Sequence, residues 1–387
     1  MYVTRPLSRY LKFPDSLSLP PEGPNSGYLV LQDEESETTT CFGLCKDSEL
    51  QDLPFPQNKD LTVHYGSDDE DVAFIPVLNQ PLSSNLYYAI KPHRKHKGEA
   101  YTCSAKKNET VGCFGISARD VKPRPLNPHD MYQQFEIFLY PQPQGCYGGG
   151  FYAKSVAPNG HPPNFLRRKG WKIYTKTPPK KYELGEAPGL NTALRARLPE
   201  FNFPLACEIS EAVTIGKWYC PFMFIKEGTL KEQMKRSMFY EMTLEQTWEQ
   251  IFECENNYRE GNTVSVNVVV VKEVVLVAQR EAVWDERKVV DGAIWFTGFG
   301  DVGEEIKLGL SLVIVERMKW EQERAGWIGG EERQVWVKRV EEFGGIGGWK
   351  RFGCYVLVEK FVLKRMDGSV VLTYSFNHTH QIKSKWE

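Results

Sequence analysis

Seven cations and three aromatic rings fall between Phe165 and Lys181 with no acid among Arg167-Arg-Lys-Gly-Trp-Lys172 or the lysines that continue it at 176, 180 and 181. Guanidinium groups beside flat rings suit phosphate contact with base stacking, or a lipid headgroup surface. Arg167, Arg168, Lys169, Trp171 and Lys172 are therefore the candidate contact residues for an anionic partner. A second basic run, Lys91-Pro-His-Arg-Lys-His-Lys97, holds four cations and two histidines. The plainer alternative for both runs is a solvated surface balanced by the acidic loop Gly66-Ser-Asp-Asp-Glu-Asp71.

Other constellations are weaker. Gly298-Phe-Gly300-Asp-Val-Gly303 matches the dinucleotide fingerprint and is expected between an apolar strand and a helix. Asp301, Glu304 and Glu305 would however set negative charge where a pyrophosphate needs positive potential, and no βαβ series surrounds the loop. His378-x-His380 has metal-ligand spacing on one face of a strand, but no third ligand is identifiable, so partly buried, hydrogen-bonded histidines are the simpler expectation. Nine cysteines without a C-x-x-C knuckle, Cys41, Cys45, Cys103, Cys113 and Cys146 among them, point to reduced thiols. Neither a cofactor nor a metal is assigned. The G-x-S-x-G elbow, the Walker loop, H-E-x-x-H and the kinase set are all missing, which leans against an enzyme. A dispersed carboxylate pair or Cys-His dyad stays open as the first alternative, because such groups meet only in the fold.

What must position these groups is a chain of 387 residues with a formal charge of −2, long enough for about two or three domains. That balance excludes a whole-molecule field for nucleic acid, and no apolar run is long enough to span a membrane as a helix. The first thirty residues lack a charged-then-apolar leader, so the expected compartment is cytoplasmic or nuclear, without classical secretion. Of 24 prolines, 23 lie between Pro6 and Pro204, whereas nine of ten tryptophans lie beyond. Two differently built parts are expected, 1–204 and 205–387, in an α+β, β-dominated fold.

The first part reads as short strands and Pro-rich loops with an internal repeat. Tyr28-Leu-Val-Leu, Cys41-Phe-Gly-Leu44 and Asp60-Leu-Thr-Val recur in order as Tyr87-Tyr-Ala-Ile, Cys113-Phe-Gly-Ile116 and Asp130-Met-Tyr-Gln, which would equate 28–65 with 87–138. In the second part, capping boxes at Thr229-x-x-Glu232 and Thr243-x-x-Gln246 predict helices over 229–255. A further helix is predicted over 304–324 from Ile306, Leu310, Val313 and Ile314. Long strands follow Gly261, and Asp367-Gly368 predicts a C-terminal hairpin.

Several strings, among them MYVTRPLS at Met1, PPEGPNSG at Pro20, QPLSSN at Gln80, FLRRKGW at Phe165 and GKWYCPF at Gly216, resemble the land-plant family known as domain of unknown function 1262 (DUF1262). The resemblance runs along essentially the whole chain. It implies a plant protein with a loose link to stress and defence, and it transfers no catalytic or binding residue. The functional expectation is a non-catalytic binding or scaffold protein for an anionic ligand, lipid headgroup or protein partner. The second alternative is a β-rich membrane-active or toxin-like protein built on the strands from Thr263 to Val283. Lys272, Glu273, Gln279 and Arg280 interrupt the lipid-facing alternation it would need.

Overall fold

In the computed structural model, 47% of the chain is strand and 15% helix, so the protein is α+β and β-dominated. The structure describes the chain apart from residues 38, 41–44, 106–108, 113–114, 142–148, 179–182, 258–260, 301–302 and 331, and apart from the side chains of 39–40, 45–46, 109–112 and 115–118. Two compact units divide it: Met1–Ala187 with Tyr219–Phe239, and Pro188–Trp218 with Tyr240–Glu387. Among the described residues no helix is long and apolar enough to cross a membrane.

In the first unit, Tyr2–Pro6 lies parallel to Gly27–Leu31, with Tyr2 opposite Gly27. A side chain at Gly27 would collide with the Tyr2 ring, so only glycine fits under that buried tyrosine. Two four-stranded sheets carry most of the rest. One runs Gly150–Ser155, Gln134–Tyr140, Leu86–Ile90, Ala73–Pro76, and the other Glu49–Leu50, Lys172–Lys176, Asp60–Tyr65, Asp68–Asp71. Alternate residues of these strands, Val63, Phe74, Tyr87, Phe135, Ile137, Phe151 and Ile173, meet around Phe55 and Trp171 in an aromatic-rich core. The Phe74 and Trp171 rings stack within 7° of parallel. Prolines serve where their fixed φ and missing donor cost nothing: Pro81 and Pro163 precede the short helices Leu82–Ser84 and Asn164–Arg167, and Pro76 ends a strand.

The acidic stretch expected as a solvated loop is instead the returning arm of a hairpin. Asp68–Asp71 pairs with Asp60–Tyr65 around Gly66 at φ 68°, and Thr62 Oγ1 donates to Asp71 Oδ1 at 2.8 Å. Of the proposed repeat, Cys41–Leu44 and Cys113-Phe114 lie outside the described residues. The strands it would equate differ in pairing. Gly27–Leu31 is parallel to its neighbour, and Leu86–Ile90 is antiparallel to both of its own.

The second unit is built on an antiparallel sheet in the order Glu305–Ser311, Ala293–Phe299, Arg280–Val283, Glu273–Val277, Val370–Trp386, Arg351–Arg365, Phe239–Glu255. Asp367-Gly368 turns between the two longest C-terminal strands, with Gly368 at φ 85°. Thr263–Val271 pairs with Gln334–Glu342 as a separate ribbon.

The predicted helices need two corrections. The Thr229 box does cap a helix, Leu230–Arg236, with both reciprocal bonds made. The Thr243 box does not: residues 243–255 continue the strand Phe239–Glu255, in register with Arg351–Arg365. Met242, Leu244, Gln246 and Trp248 are buried at period two, between the glutamates 241, 245 and 249. A bulge between Gln250 and Phe252 shifts the phase, which is why Leu244, Trp248, Ile251 and Phe252 imitate helical spacing. The helix predicted over 304–324 begins only at Leu312 and runs to Glu323, because Ile306, Leu308 and Leu310 alternate along the strand Glu305–Ser311. The glycine fingerprint therefore joins two antiparallel strands, with Gly300 N–H donating to Glu304 O at 2.7 Å. No helix N-terminus follows that turn to hold a phosphate.

Candidate ligand cavities

The first unit encloses a cavity of about 570 Å³ whose position follows from three strand ends. Asp60 opens its strand opposite Lys176, the last residue of the neighbouring strand, and Asp71 ends the arm on the other side. The chain then turns through Val72 into Ala73–Pro76, which pairs with Leu86–Ile90 and delivers Pro92 and His93 to the same wall. His93 Nε2 stands 4.0 Å from Asp71 Oδ2. The helix Leu230–Arg236 closes the cavity with Met234 and Lys235, followed by Met238 and Phe239. Gly98 lets the basic loop approach that helix, since a side chain there would press on Leu230.

The lining is amphipathic. Leu61, Val72, Phe74, Ile75, Met234 and Phe239 form an apolar floor, and Lys59, Lys97, Lys176 and Lys235 share the wall with Asp60 and Asp71, Lys59 lying 3.6 Å from Glu37. Partial desolvation raises the Asp60 carboxyl above its ordinary value; His93 acts against the rise and Asp71 adds to it. No serine or cysteine lines this cavity among the described residues, and the Thr62 hydroxyl already donates to Asp71.

The five predicted contact residues are divided by the fold. Trp171 is no surface ring: it is 1% exposed in the aromatic core, its Nε1–H donating to Leu166 O at 2.9 Å. Period two explains this, because Trp171 and Ile173 point inward while Lys172 turns outward to Glu49 at 2.8 Å. Arg167 is half-buried at the end of its helix, and Arg168 and Lys169 are exposed. Both exposed cations rest on rings far away in sequence, Arg168 over Tyr65 and Lys169 over Tyr140 and Tyr152. Lys154 covers Phe138 on the same pair of strands. The basic aromatic surface is real but uses tyrosines that no local pattern reveals.

The loop Lys91–Lys97 borders two cavities. His93 and Lys97 face the 570 Å³ space, while Arg94, Lys95 and His96 line another of about 430 Å³ with Tyr65, Tyr101 and Phe165. Arg94 and His96 hold left-handed backbone at φ 63° and 66°. Much of the charge is already spent within the loop's surroundings: Lys91 meets Glu70, and His96 Nδ1 lies 2.6 Å from Glu99.

In the second unit, His378 and His380 share a strand face with ring centroids 5.5 Å apart. His378 is buried, with Nε2 at 2.9 Å from Gln322 Oε1, and burial holds its pKa down to about 4. No group of three or more His, Cys, Asp or Glu with metal-site geometry occurs among the described residues. Burial raises the Cys103 and Cys220 thiols, to about 12 and about 11, so neither supplies a thiolate at neutral pH. Cys41, Cys113 and Cys146 lie outside the described residues.

A family model described as "Protein of unknown function (DUF1262)" matches residues 22–114. That is narrower than the whole-chain resemblance: QPLSSN at Gln80 falls within it, and MYVTRPLS, FLRRKGW and GKWYCPF fall outside. The matched stretch supplies most of the 570 Å³ cavity wall, from Pro56 to Lys97. No curated protein matches the chain. Among solved structures, one titled "Crystal structure of Cry35Ab1" is similar at 9% identity and a TM-score of 0.47, over 86% of this chain and 90% of that one. A likeness that low carries no argument about function.

Proposed function

We propose that this chain is a non-catalytic binding protein whose first unit takes a ligand with an apolar body and an anionic end. The observation that carries the reading is the 570 Å³ cavity, with a floor of Leu61, Phe74, Ile75 and Met234 and with Lys176 at the end of its strand on the wall. Such a volume lies in the range of small-molecule sites, about 300–1,000 Å³. Methionines at 234 and 238 suit an alkyl or terpenoid body of variable shape, since an unbranched thioether repacks easily. A plant setting and a role in stress or defence belong to this proposal through the family resemblance alone.

Calorimetric titration of the full chain with dodecanoate, dodecan-1-ol and acetate tests it. Dodecanoate should bind more tightly than the alcohol, and acetate should not bind. The variant Lys176→Gln should weaken dodecanoate about tenfold, roughly 1.4 kcal/mol. No dodecanoate binding, or unchanged affinity in Lys176→Gln, overturns the reading.

The exposed face carrying Lys154, Arg168 and Lys169 over Phe138, Tyr65, Tyr140 and Tyr152 favours a second reading, contact with an anionic surface. Flotation with phosphatidylglycerol vesicles at low salt should then depend on Arg168 and Lys169, and loss of all flotation with phosphatidylcholine should accompany it. Equal behaviour of the two lipids counts against it.

A further inference from the structure

We propose that the cavity of about 430 Å³ in the first unit binds a small aromatic phosphate monoester, with Arg94 and Lys95 taking the phosphate. Both side chains are exposed, both line this cavity, and neither makes a hydrogen bond or ion pair among the described residues. The other charged groups on the wall are already engaged. Glu70 Oε1 accepts from Lys91 and from the Tyr101 hydroxyl, and the two Asp120 oxygens accept the Asn164 N–H at 3.1 and 3.0 Å. His96 Nδ1 lies 2.6 Å from Glu99. What remains is one guanidinium and one ammonium on consecutive residues. A guanidinium offers paired N–H donors to two phosphate oxygens, and a lysine beside it adds a compact charge.

The loop that carries these cations is a fixed one. Its ends are closed by backbone bonds, Lys91 N–H to Glu99 O at 3.0 Å and Gly98 N–H to Lys91 O at 2.8 Å. Between them Arg94 holds φ 63°, a left-handed backbone that a long side chain seldom adopts and that clusters at ligand clamps and active sites. The loop also divides its side chains, since His93 and Lys97 face the 570 Å³ cavity and Arg94 and Lys95 face this one. The rest of the wall is apolar and flat. The Phe165 ring lies 5.8 Å from Tyr65 and 4.9 Å from Tyr101, and Val121, Pro123 and Pro163 complete that side. An aromatic body can lie against these rings while its phosphate reaches the loop. A cation would be repelled by Arg94 and Lys95, and a neutral ring would leave both without a counter-charge.

Calorimetric titration of the full chain at low salt tests the inference with phenyl phosphate, inorganic phosphate and phenol as probes. Phenyl phosphate should bind more tightly than inorganic phosphate or phenol by about tenfold or more. Arg94→Gln/Lys95→Gln, at two exposed positions, should weaken phenyl phosphate about tenfold and flatten its salt dependence. Val121→Trp, which fills the cavity and leaves both cations in place, should abolish binding. Should Val121→Trp fail to fold, the charge variant and the inorganic phosphate arm decide. The inference is overturned if phenyl phosphate does not bind, or if inorganic phosphate binds as tightly and so reports exposed charge alone. It is equally overturned if the charge variant keeps the wild-type affinity or if binding survives in folded Val121→Trp. Phenyl phosphate binding that is lost in Lys176→Gln and kept in Arg94→Gln/Lys95→Gln would place the ligand in the 570 Å³ cavity and overturn it too. Dodecanoate binding should not change in Arg94→Gln/Lys95→Gln, so the two proposals fail separately.

Discussion

Arg195 holds Glu359 through two nitrogens, Nε at 2.9 Å and Nη2 at 2.5 Å, on a carboxylate that is 1% exposed. Gln246 adds a third bond to the same acid, and Arg195 Nη2 also donates to Glu321 O at 2.9 Å. In so dry a setting the pair matters chiefly because neither charge can be left alone. Arg195→Met should therefore cost about 3–5 kcal/mol, whereas Arg195→Met/Glu359→Leu should lose less than the single variant. Urea denaturation followed by tryptophan fluorescence measures both. A double variant less stable than Arg195→Met would show that the pair contributes packing and not charge compensation.

His378 makes stability depend on pH, and the sign follows from its neighbours. Burial lowers its folded pKa from 6.5 to about 4; Glu359 at 3.8 Å opposes the shift, while His380 and Arg195 reinforce it. The unfolded chain thus binds a proton that the fold resists. The full stability is present above about pH 6.5 and is lost as pH falls from there toward 4. Between pH 7 and 5 the loss assigned to this group is about 2 kcal/mol. His378→Gln should flatten the wild-type slope over that interval, measured as urea midpoints at pH 7, 6 and 5. Parallel slopes for the two proteins would place the titration elsewhere.

How much could be read without the fold depends on how local each cause is. The Thr229 box was legible because both of its bonds close within three residues, and the Asp367-Gly368 turn because its chemistry is confined to the turn itself. The strand Phe239–Glu255 imitates a helix in sequence because its helix-like spacing arises at a bulge, and the partner that imposes the bulge lies about a hundred residues on. The first cavity was invisible for a similar reason. Lys59, Lys97, Lys176 and Lys235 share no spacing and come together only where three strand ends and a helix meet. The cations beside Trp171 suggest a surface, but alternation along Lys172–Lys176 turns one neighbour in two inward, and Trp171 is one of those.

That division of the basic run separates stability from surface charge. Trp171 stacks on Phe74 and lies 5.2 Å from the Phe151 ring, so Trp171→Ala should cost about 3–5 kcal/mol. Lys169→Ala, on an exposed side chain over two tyrosines, should change stability by no more than about 0.5 kcal/mol. Thermal unfolding of the two variants gives the comparison directly. Equal midpoints would mean that Trp171 is a surface residue after all.

Gly150 supports the same corner from behind. A Cβ at this position would lie 2.6 Å from the carbonyl carbon of Gly170, so the obstacle is backbone and cannot swing away. The two segments are also tied together: Phe151 N–H donates to Trp171 O at 2.8 Å, and Gly170 N–H to Phe151 O at 2.9 Å. Admitting a methyl group requires that these bonds stretch or that Gly170, at φ 81°, leave its left-handed turn. Gly150→Ala should therefore destabilise the first unit by about 1–3 kcal/mol. Gly344→Ala, where nothing lies within 4 Å of the added carbon, is the matched control and should stay within about 0.5 kcal/mol of the parent. Urea midpoints decide, and a Gly150→Ala midpoint equal to the control's would refute the close approach of the two glycines.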